Sequence, residues 1–193
     1  MEEKKKTSKK PRAQKSVKDV APPEVTVFTA DATAIDNEGV RIEAKRIDPS
    51  QIVTVYNGFH GTMYYRSRKT GELYKWDGFG DEQDMELGEL KNAKSSSKKH
   101  FINNWFMFGD EDAWVIEYLG IGRYYKNAVS IDGFDEIFEK APDEIAAIVN
   151  GMSAGQKRSA AYRAQQMIED GRIDSMKKIS ILENCLGVEL VER

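Results

Sequence analysis

The first half of the chain consists of short runs in which apolar and polar residues alternate. Residues 25–29 are β-branched or aromatic and uncharged, residues 40–47 alternate along most of their length, and residues 52–56 are more apolar. Turn-forming residues separate these runs, with Asp36-Asn37-Glu38-Gly39 before the second and Asp48-Pro49-Ser50 before the third. Runs of this length and composition between turns predict short β-strands.

The clearest local pattern is that of a β-hairpin. Residues 62–66 and 72–76 flank a turn at Lys69-Thr70-Gly71, where glycine supplies the positive φ that such a loop needs. We expect one face of the hairpin to carry Met63, Tyr65, Leu73 and Lys75, and the other to carry Tyr64, Arg66, Tyr74 and Trp76.

Two further patterns lead into the second half of the chain. Residues 82–94 are charged, with a few apolar members, and predict a short strand that enters a short helix. Residues 101–108 are the most apolar stretch and predict central core. After them, residues 114–119 have the apolar spacing of a helix.

Three better-marked helices follow. Asp132 is a candidate cap for the first, Pro142 suits the first turn of the second, and Ser153 with Gln156 forms a capping-box pattern at the start of the third. A last helix, capped by Asp174 or Ser175, ends at Gly187, and residues 188–191 predict a returning edge strand.

These patterns together predict an α+β fold. We expect a single body over residues 24–193, strand-rich over 24–109 and helix-rich over 110–193, and a separate arm with a proline hinge over residues 1–23.

Charge distinguishes this arm from the rest of the chain. Residues 1–20 hold eight basic and three acidic side chains, a formal charge of +5, which leaves −8 for residues 21–193. The basic residues are Lys4, Lys5, Lys6, Lys9, Lys10, Arg12, Lys15 and Lys18. With almost no apolar side chain to bury, the arm is predicted to be disordered or extended. It suits a tether to nucleic acid or to an acidic protein surface, or else a solubilising tail.

Candidate chemistry is sparse. No apolar run is long enough to span a membrane, and no apolar segment follows the initial lysines as in a secretory signal. His60 and His100 lie far apart and are expected in loops or on the surface, and Cys185 is expected to be a buried structural thiol. The acidic groups at residues 81–84 and 110–112 lack the spacing of a calcium loop. We therefore predict no catalytic residue, no metal site and no cofactor.

Two patterns are candidates for binding. The hairpin face with Tyr64, Arg66, Tyr74 and Trp76 has the composition of a surface that stacks bases and holds phosphates, although cross-strand packing of the aromatic rings is the favoured interpretation. The predicted helices 154–170 and 174–186 have the connection length of a helix-turn-helix, but the second carries only two basic residues, which favours a packed helical hairpin.

Several aromatic and glycine motifs resemble those of a family of small structural proteins from contractile-tailed bacteriophages, over roughly residues 40–190. The motifs are Tyr64-Tyr65-Arg66-Ser67, Thr70-Gly71-Glu72, Tyr74-Lys75-Trp76, Phe79-Gly80-Asp81-Glu82-Gln83, Met85-Glu86-Leu87, Glu89-Leu90, Phe101-x-Asn103-Asn104-Trp105, Gln156-Lys157-Arg158, Gly171-Arg172-Ile173-Asp174-Ser175 and Leu182-Glu183. The resemblance implies a virion protein of the head, neck or tail, assembled in the host cytoplasm among other virion proteins, and it implies no catalytic residue.

The sequence thus predicts a non-enzymatic structural component of a tailed-phage particle that joins neighbouring subunits, as a homo- or hetero-oligomer, through its arm and body. Residues 1–20 are also candidates for non-specific contact with DNA. The alternative is a nucleic-acid-binding accessory or regulatory protein that uses the arm and the aromatic and basic hairpin face. An enzyme with a site built from the acidic turns is the weakest hypothesis.

Overall fold

The computed structural model of the chain describes residues 47–191, and it is a mixed α+β fold with antiparallel strands followed by helices. The basic arm, the predicted strand at 25–29 and most of the predicted strand at 40–47 lie outside these residues. The strands are β1 Ile52–Asn57, β2 Met63–Arg66, β3 Leu73–Trp76, β4 Glu82–Glu86 and β5 Phe106–Phe108.

The strands form two antiparallel groups. One is a three-stranded sheet in the order β4-β1-β5, and the other is the hairpin of β2 and β3. Alternation along β1 places Val53 and Val55 in the core, while Ile52, Thr54 and Tyr56 lie on the outer face of the sheet. The predicted strand at 52–56 and the predicted hairpin are therefore confirmed.

The predicted faces of the hairpin are wrong. Met63 pairs with Trp76 and Tyr65 with Tyr74, so these four side chains share the face that packs on the core. Residues directly opposite each other in an antiparallel pair lie on the same face, and the loop over residues 67–72 sets the register one residue away from the predicted one. Tyr64 and Arg66 remain exposed, but their partners on the outer face are Leu73 and Lys75.

The helices follow the predicted order with some differences at their ends. They are α1 Leu87–Ser96, α2 Lys99–Ile102, α3 Trp114–Tyr118, α4 Gly122–Tyr125, α5 Pro142–Gly151, α6 Ala154–Glu169 and α7 Met176–Leu186. The strand-to-helix transition within 82–94 is confirmed, as is Pro142 as the first residue of α5. The hydroxyl of Ser153 accepts the N–H of Gln156, as the capping pattern predicts.

Three predictions for the second half are wrong in detail. The segment after Asp132 is a short 3-10 helix over Asp135–Glu139 that begins after Phe134, so Asp132 does not cap it. Residues 188–191 are not a strand, although Leu190 is buried and donates its N–H to the Glu183 carboxylate. The apolar spacing of the last helix predicts that Met176 faces inward, but this residue begins α7 and is 62% exposed.

The interior consists of two hydrophobic clusters. The strand cluster surrounds Trp76, Phe101 and Phe106, and the helical cluster surrounds Phe138 and Leu182. We call the parts of the molecule around them the strand lobe and the helical lobe.

A seam of very close main-chain contacts joins the two lobes. The hydroxyl of Ser159 on α6 donates to the carbonyl of Gly58, and that of Ser153 donates to the carbonyl of Asn103. A Cβ on Gly155 would lie 2.1 Å from the Asn103 carbonyl oxygen. Only a residue without a side chain fits at this distance, so the seam depends on glycine.

Candidate interaction surfaces

The outer hairpin face is an exposed patch of aliphatic, aromatic and basic side chains, defined by Tyr64, Arg66, Leu73 and Lys75. Tyr64 is 55% and Leu73 is 49% exposed, and the two side chains share one face of the hairpin. Tyr64 lies opposite Lys75, and Arg66 lies opposite Leu73. Each large apolar group therefore has a cation beside it, of which Lys75 is paired with the exposed Asp77 carboxylate.

The patch is mounted on a tightly packed base. The indole N–H of Trp76 donates to the Val55 carbonyl at 2.9 Å, which ties the hairpin to the sheet beneath it. Tyr65 is 2% exposed, and its hydroxyl donates to the Glu89 carboxylate at 2.6 Å. Burial, reinforced by Glu89, raises the pKa of the Tyr65 hydroxyl well above its usual value. These contacts fix the hairpin in place before any partner arrives.

The outer face of the three-stranded sheet has the opposite charge. Glu82, Asp84 and Glu86 alternate along β4, beside Tyr56, Thr54 and Ile52 of β1. All three acidic residues are exposed. The pKa of Tyr56 is raised, first by burial and then by nearby carboxylates, of which Glu82 is the strongest. This face of the sheet is therefore a region of negative potential.

A groove of about 570 Å³ lies between the two lobes. Its walls are largely aromatic: the rings of His60 and Tyr162 stack at 4.7 Å, and those of Phe79 and Phe134 approach to 4.7 Å. The Nδ1 atom of His60 is buried and has no hydrogen-bond partner among residues 47–191. Burial, and after it the charge of Arg158, lowers the pKa of His60 and so favours the neutral ring.

An ion pair closes one side of the groove. The Arg163 guanidinium binds both carboxylate oxygens of Asp135, and Arg172 lies 3.5 Å from the same carboxylate. The hydrogen bond from Arg163 lowers the pKa of Asp135 below its usual value. With its charge already neutralised, Arg163 is engaged in structure and is not a free anion-binding group.

Histidine, cysteine and acidic side chains were the remaining candidates for chemistry. Among residues 47–191, no group of three or more histidine, cysteine or acidic side chains is arranged to hold a metal ion. Cys185 lies half-buried on α7 against the helical cluster. His100, expected in a loop or on the surface, is only 4% exposed and packs within the strand cluster, stacked on Phe106 at 4.8 Å.

The sequence predictions located part of these surfaces. Tyr64 and Arg66 lie where they were expected, on an exposed face, while Tyr74 and Trp76 turn inward and the eight basic residues of the arm lie outside the described residues. Leu73 and Lys75 were assigned to the wrong face. The acidic row on β4 was missed, although the i, i+2 spacing of its carboxylates is visible in the sequence.

Comparisons with known proteins identify no relative, since no family model matches the chain and neither a curated protein nor a solved structure is significantly similar to it. Within residues 47–191, none of the helices has the length and apolar character needed to cross a lipid bilayer.

Proposed function

We propose that this protein is a non-enzymatic structural component of a tailed-phage particle, in its head, neck or tail, and that it joins neighbouring subunits through its N-terminal arm and its compact body. The observation that carries the proposal is the outer hairpin face. Exposed tyrosine and arginine side chains on a fixed base are residue types enriched at the centre of protein interfaces, and Leu73 adds apolar area beside them.

Rigidity supports this interpretation. A patch whose strands are held by buried hydrogen bonds loses little conformational entropy when a partner binds. More of the energy of the contacts that Tyr64 and Leu73 make is then retained as affinity. In a particle with many copies, contacts of modest strength are sufficient because they act together.

The arm supplies a second type of contact. Its eight basic residues are free of aromatic neighbours and suit a long-range electrostatic attraction to an acidic protein surface or to DNA. The rival proposal, a nucleic-acid-binding regulator, loses its stacking platform because Trp76 is fully buried and Tyr74 faces the core. Only the arm would then contact nucleic acid.

Mass spectrometry of purified particles tests the proposal. We expect peptides of the chain at a fixed ratio to the other virion proteins. The double substitution Tyr64→Ser with Leu73→Ser should reduce incorporation about tenfold or more, because losing one interface anchor typically weakens binding by ~2 kcal/mol. A control with Met176→Ser and Val188→Ser removes two equally exposed apolar side chains from the helical lobe and should leave incorporation unchanged.

Two results would contradict the proposal. One is the absence of the chain from particles that are otherwise complete. The other is equal incorporation of the hairpin variant and its control, which would show that the outer hairpin face is not an interface.

A further inference from the structure

Strand β4 is the open edge of the three-stranded sheet. The N–H of Asn57 donates to Asp81 at 2.8 Å and that of Leu87 donates to Gln51 at 2.9 Å, on either side of the β1–β4 ladder. Main-chain groups in an antiparallel pair point alternately toward and away from the partner. The N–H and C=O groups of Glu82, Asp84 and Glu86 therefore point away from β1, and no strand among residues 47–191 pairs with them.

The other edges are less suited to receive a strand. On β5, the carbonyl of Phe106 already accepts the hydroxyl of Tyr125 at 2.6 Å. The hairpin carries the cations Arg66 and Lys75 on its two strands. Of the strands between residues 47 and 191, the β4 edge alone combines unpaired main-chain groups with a row of exposed carboxylates.

The acidic row also restricts which strand is able to bind. Charged side chains on an edge strand prevent two identical edges from pairing, because like charges would face each other. Within residues 47–191, Glu82, Asp84 and Glu86 form no ion pair. An incoming segment accompanied by positive charge removes this repulsion, so the edge discriminates in favour of basic partners.

We propose that the β4 edge accepts residues 25–29 of a second copy of this chain as an added strand, with the basic arm of that copy lying along the acidic outer face of the sheet. This inference rests on the proposed function and names the surface on the body that receives the arm. Added strands of this kind bind through main-chain hydrogen bonds, and side chains supply the specificity.

The occupant fits the edge in length and in charge. The uncharged segment 25–29 has five residues, as does β4, and residues 1–20 before it carry a charge of +5. From Thr29 to Ile47 the chain spans up to about 60 Å when extended, which is enough to leave its own body and reach a neighbour.

Crosslinking between two labelled copies tests the inference directly. Full-length proteins in a Cys185→Ser background carry either Thr26→Cys or Asp84→Cys and are mixed with a short bismaleimide. We expect covalent dimers that contain one copy of each. A mixture of Thr26→Cys with Glu169→Cys, an exposed position on the helical lobe, is the control and should give little product.

Neutralising the acidic row tests the role of its charge. The test uses a Cys185→Ser background in which Gln83→Cys is the labelled position on β4. The neutral variant then carries three further substitutions, Glu82→Gln, Asp84→Asn and Glu86→Gln. These substitutions keep the shape of each side chain and the hydrogen bond from Thr54 to residue 84. The dimer yield of this variant with Thr26→Cys should fall about tenfold, since each exposed ion pair contributes ~0.5 kcal/mol and three are lost. The same number of charges removed by Glu136→Gln, Glu169→Gln and Glu189→Gln should have no effect.

The inference is wrong if mixed copies do not crosslink, or if the neutral β4 variant gives the same dimer yield as the chain with the native carboxylates. It is also wrong if a chain that carries both Thr26→Cys and Asp84→Cys crosslinks only within itself. Its failure is distinguishable from that of the proposed function. A chain that is present in particles but gives no mixed dimers overturns the inference alone, whereas a chain that is absent from particles overturns the proposed function whatever the crosslinking result.

Discussion

His100 is a polar residue enclosed by aromatic rings. It contacts Tyr65, Trp105 and Phe106, with ring centroids between 4.8 and 5.6 Å away, and its Nδ1 lies 3.1 Å from the Ser97 carbonyl oxygen. Burial is the main cause that lowers its pKa, and the neighbouring charge of Lys99 acts in the same direction. The core is therefore built for the neutral imidazole.

This burial makes stability depend on pH. The pKa of His100 in the folded protein lies below its ordinary value of 6.5, so the unfolded chain binds the proton more readily. The free energy of unfolding should fall as the pH is lowered from 7.5 to 5.5, by at most about 1.4 kcal/mol per pH unit for each such histidine. Urea denaturation at a series of pH values measures this slope.

Variants separate the two histidines of the chain. His100→Phe should flatten the slope, and adding His60→Phe, whose pKa is also lowered by burial, should remove what remains. Asp135 does not contribute in this range, because its lowered pKa affects stability only under more acidic conditions. An unchanged slope in the double variant would show that neither histidine is responsible.

At the scale of elements, the start of α6 is the most constrained position in the fold. Ser153 caps the helix and also binds Asn103, while the side-chain amide of Gln156 donates to the Val129 carbonyl at 2.7 Å. Gly155 between them lies against the main chain of the strand lobe. The helix therefore begins at a point fixed from three directions.

Gly155→Ala should destabilise the protein by about 2–4 kcal/mol despite the better helix propensity of alanine, since overpacking against a main-chain carbonyl exceeds the ~1 kcal/mol that propensity supplies. Urea denaturation at pH 7.5 provides the measurement. Gly122→Ala is the matched control, because Gly122 begins helix α4 with nothing within 4 Å of an added Cβ. A Gly155→Ala protein as stable as this control would contradict the close approach.

Local signals in the sequence predicted most elements but not how the hairpin strands face each other. Pro142, Ser153 and Gly187 act through their own backbone and neighbours, so their positions in the sequence were sufficient to predict them. The relation between β2 and β3 depends on the number of loop residues, and a shift of one residue exchanges the faces. The signal against that register was a lysine at 75 on the same predicted face as Met63 and Tyr65.

The candidate surfaces were harder to predict because they combine distant segments. The groove brings together His60 from the loop after β1, Phe134 from the loop before α5, and Tyr162 from α6. His60 and Tyr162 are separated by more than a hundred positions along the chain. The burial of His100 likewise depends on Tyr65 of β2, whose ring lies 5.6 Å from that of His100 although the two residues are far apart in sequence. No periodicity within one segment encodes such contacts.

At the scale of the whole molecule, charge is divided between an arm of +5 and a remainder of −8. This division predicts that the arm alone accounts for binding to polyanions. Full-length protein should bind duplex DNA without sequence preference, with a slope of log K against log salt of about −4 if half of its eight cations contact phosphates.

Fluorescence anisotropy with a labelled duplex measures this slope between low and physiological salt. A chain that lacks residues 1–20 should lose the binding altogether, because the remaining surface is net negative. Two results would indicate that the hairpin contacts nucleic acid and would favour the regulatory hypothesis. One is that the truncated chain keeps its affinity for the duplex, and the other is that Tyr64→Ser alone lowers the affinity of the full-length protein.

The glycine seam determines how the molecule responds to force. The main-chain oxygen of Asn103 in the strand lobe occupies the space where a side chain at position 155 of α6 would otherwise lie, and the Ser159 hydroxyl of α6 binds the Gly58 carbonyl, so the lobes are in direct contact along the seam. We therefore expect a force applied at the hairpin to be transmitted directly to α6, since no flexible hinge lies in the seam between the two lobes. The body then behaves as a rigid unit, and any flexibility that an assembly needs has to come from the segments that connect the body to its neighbours.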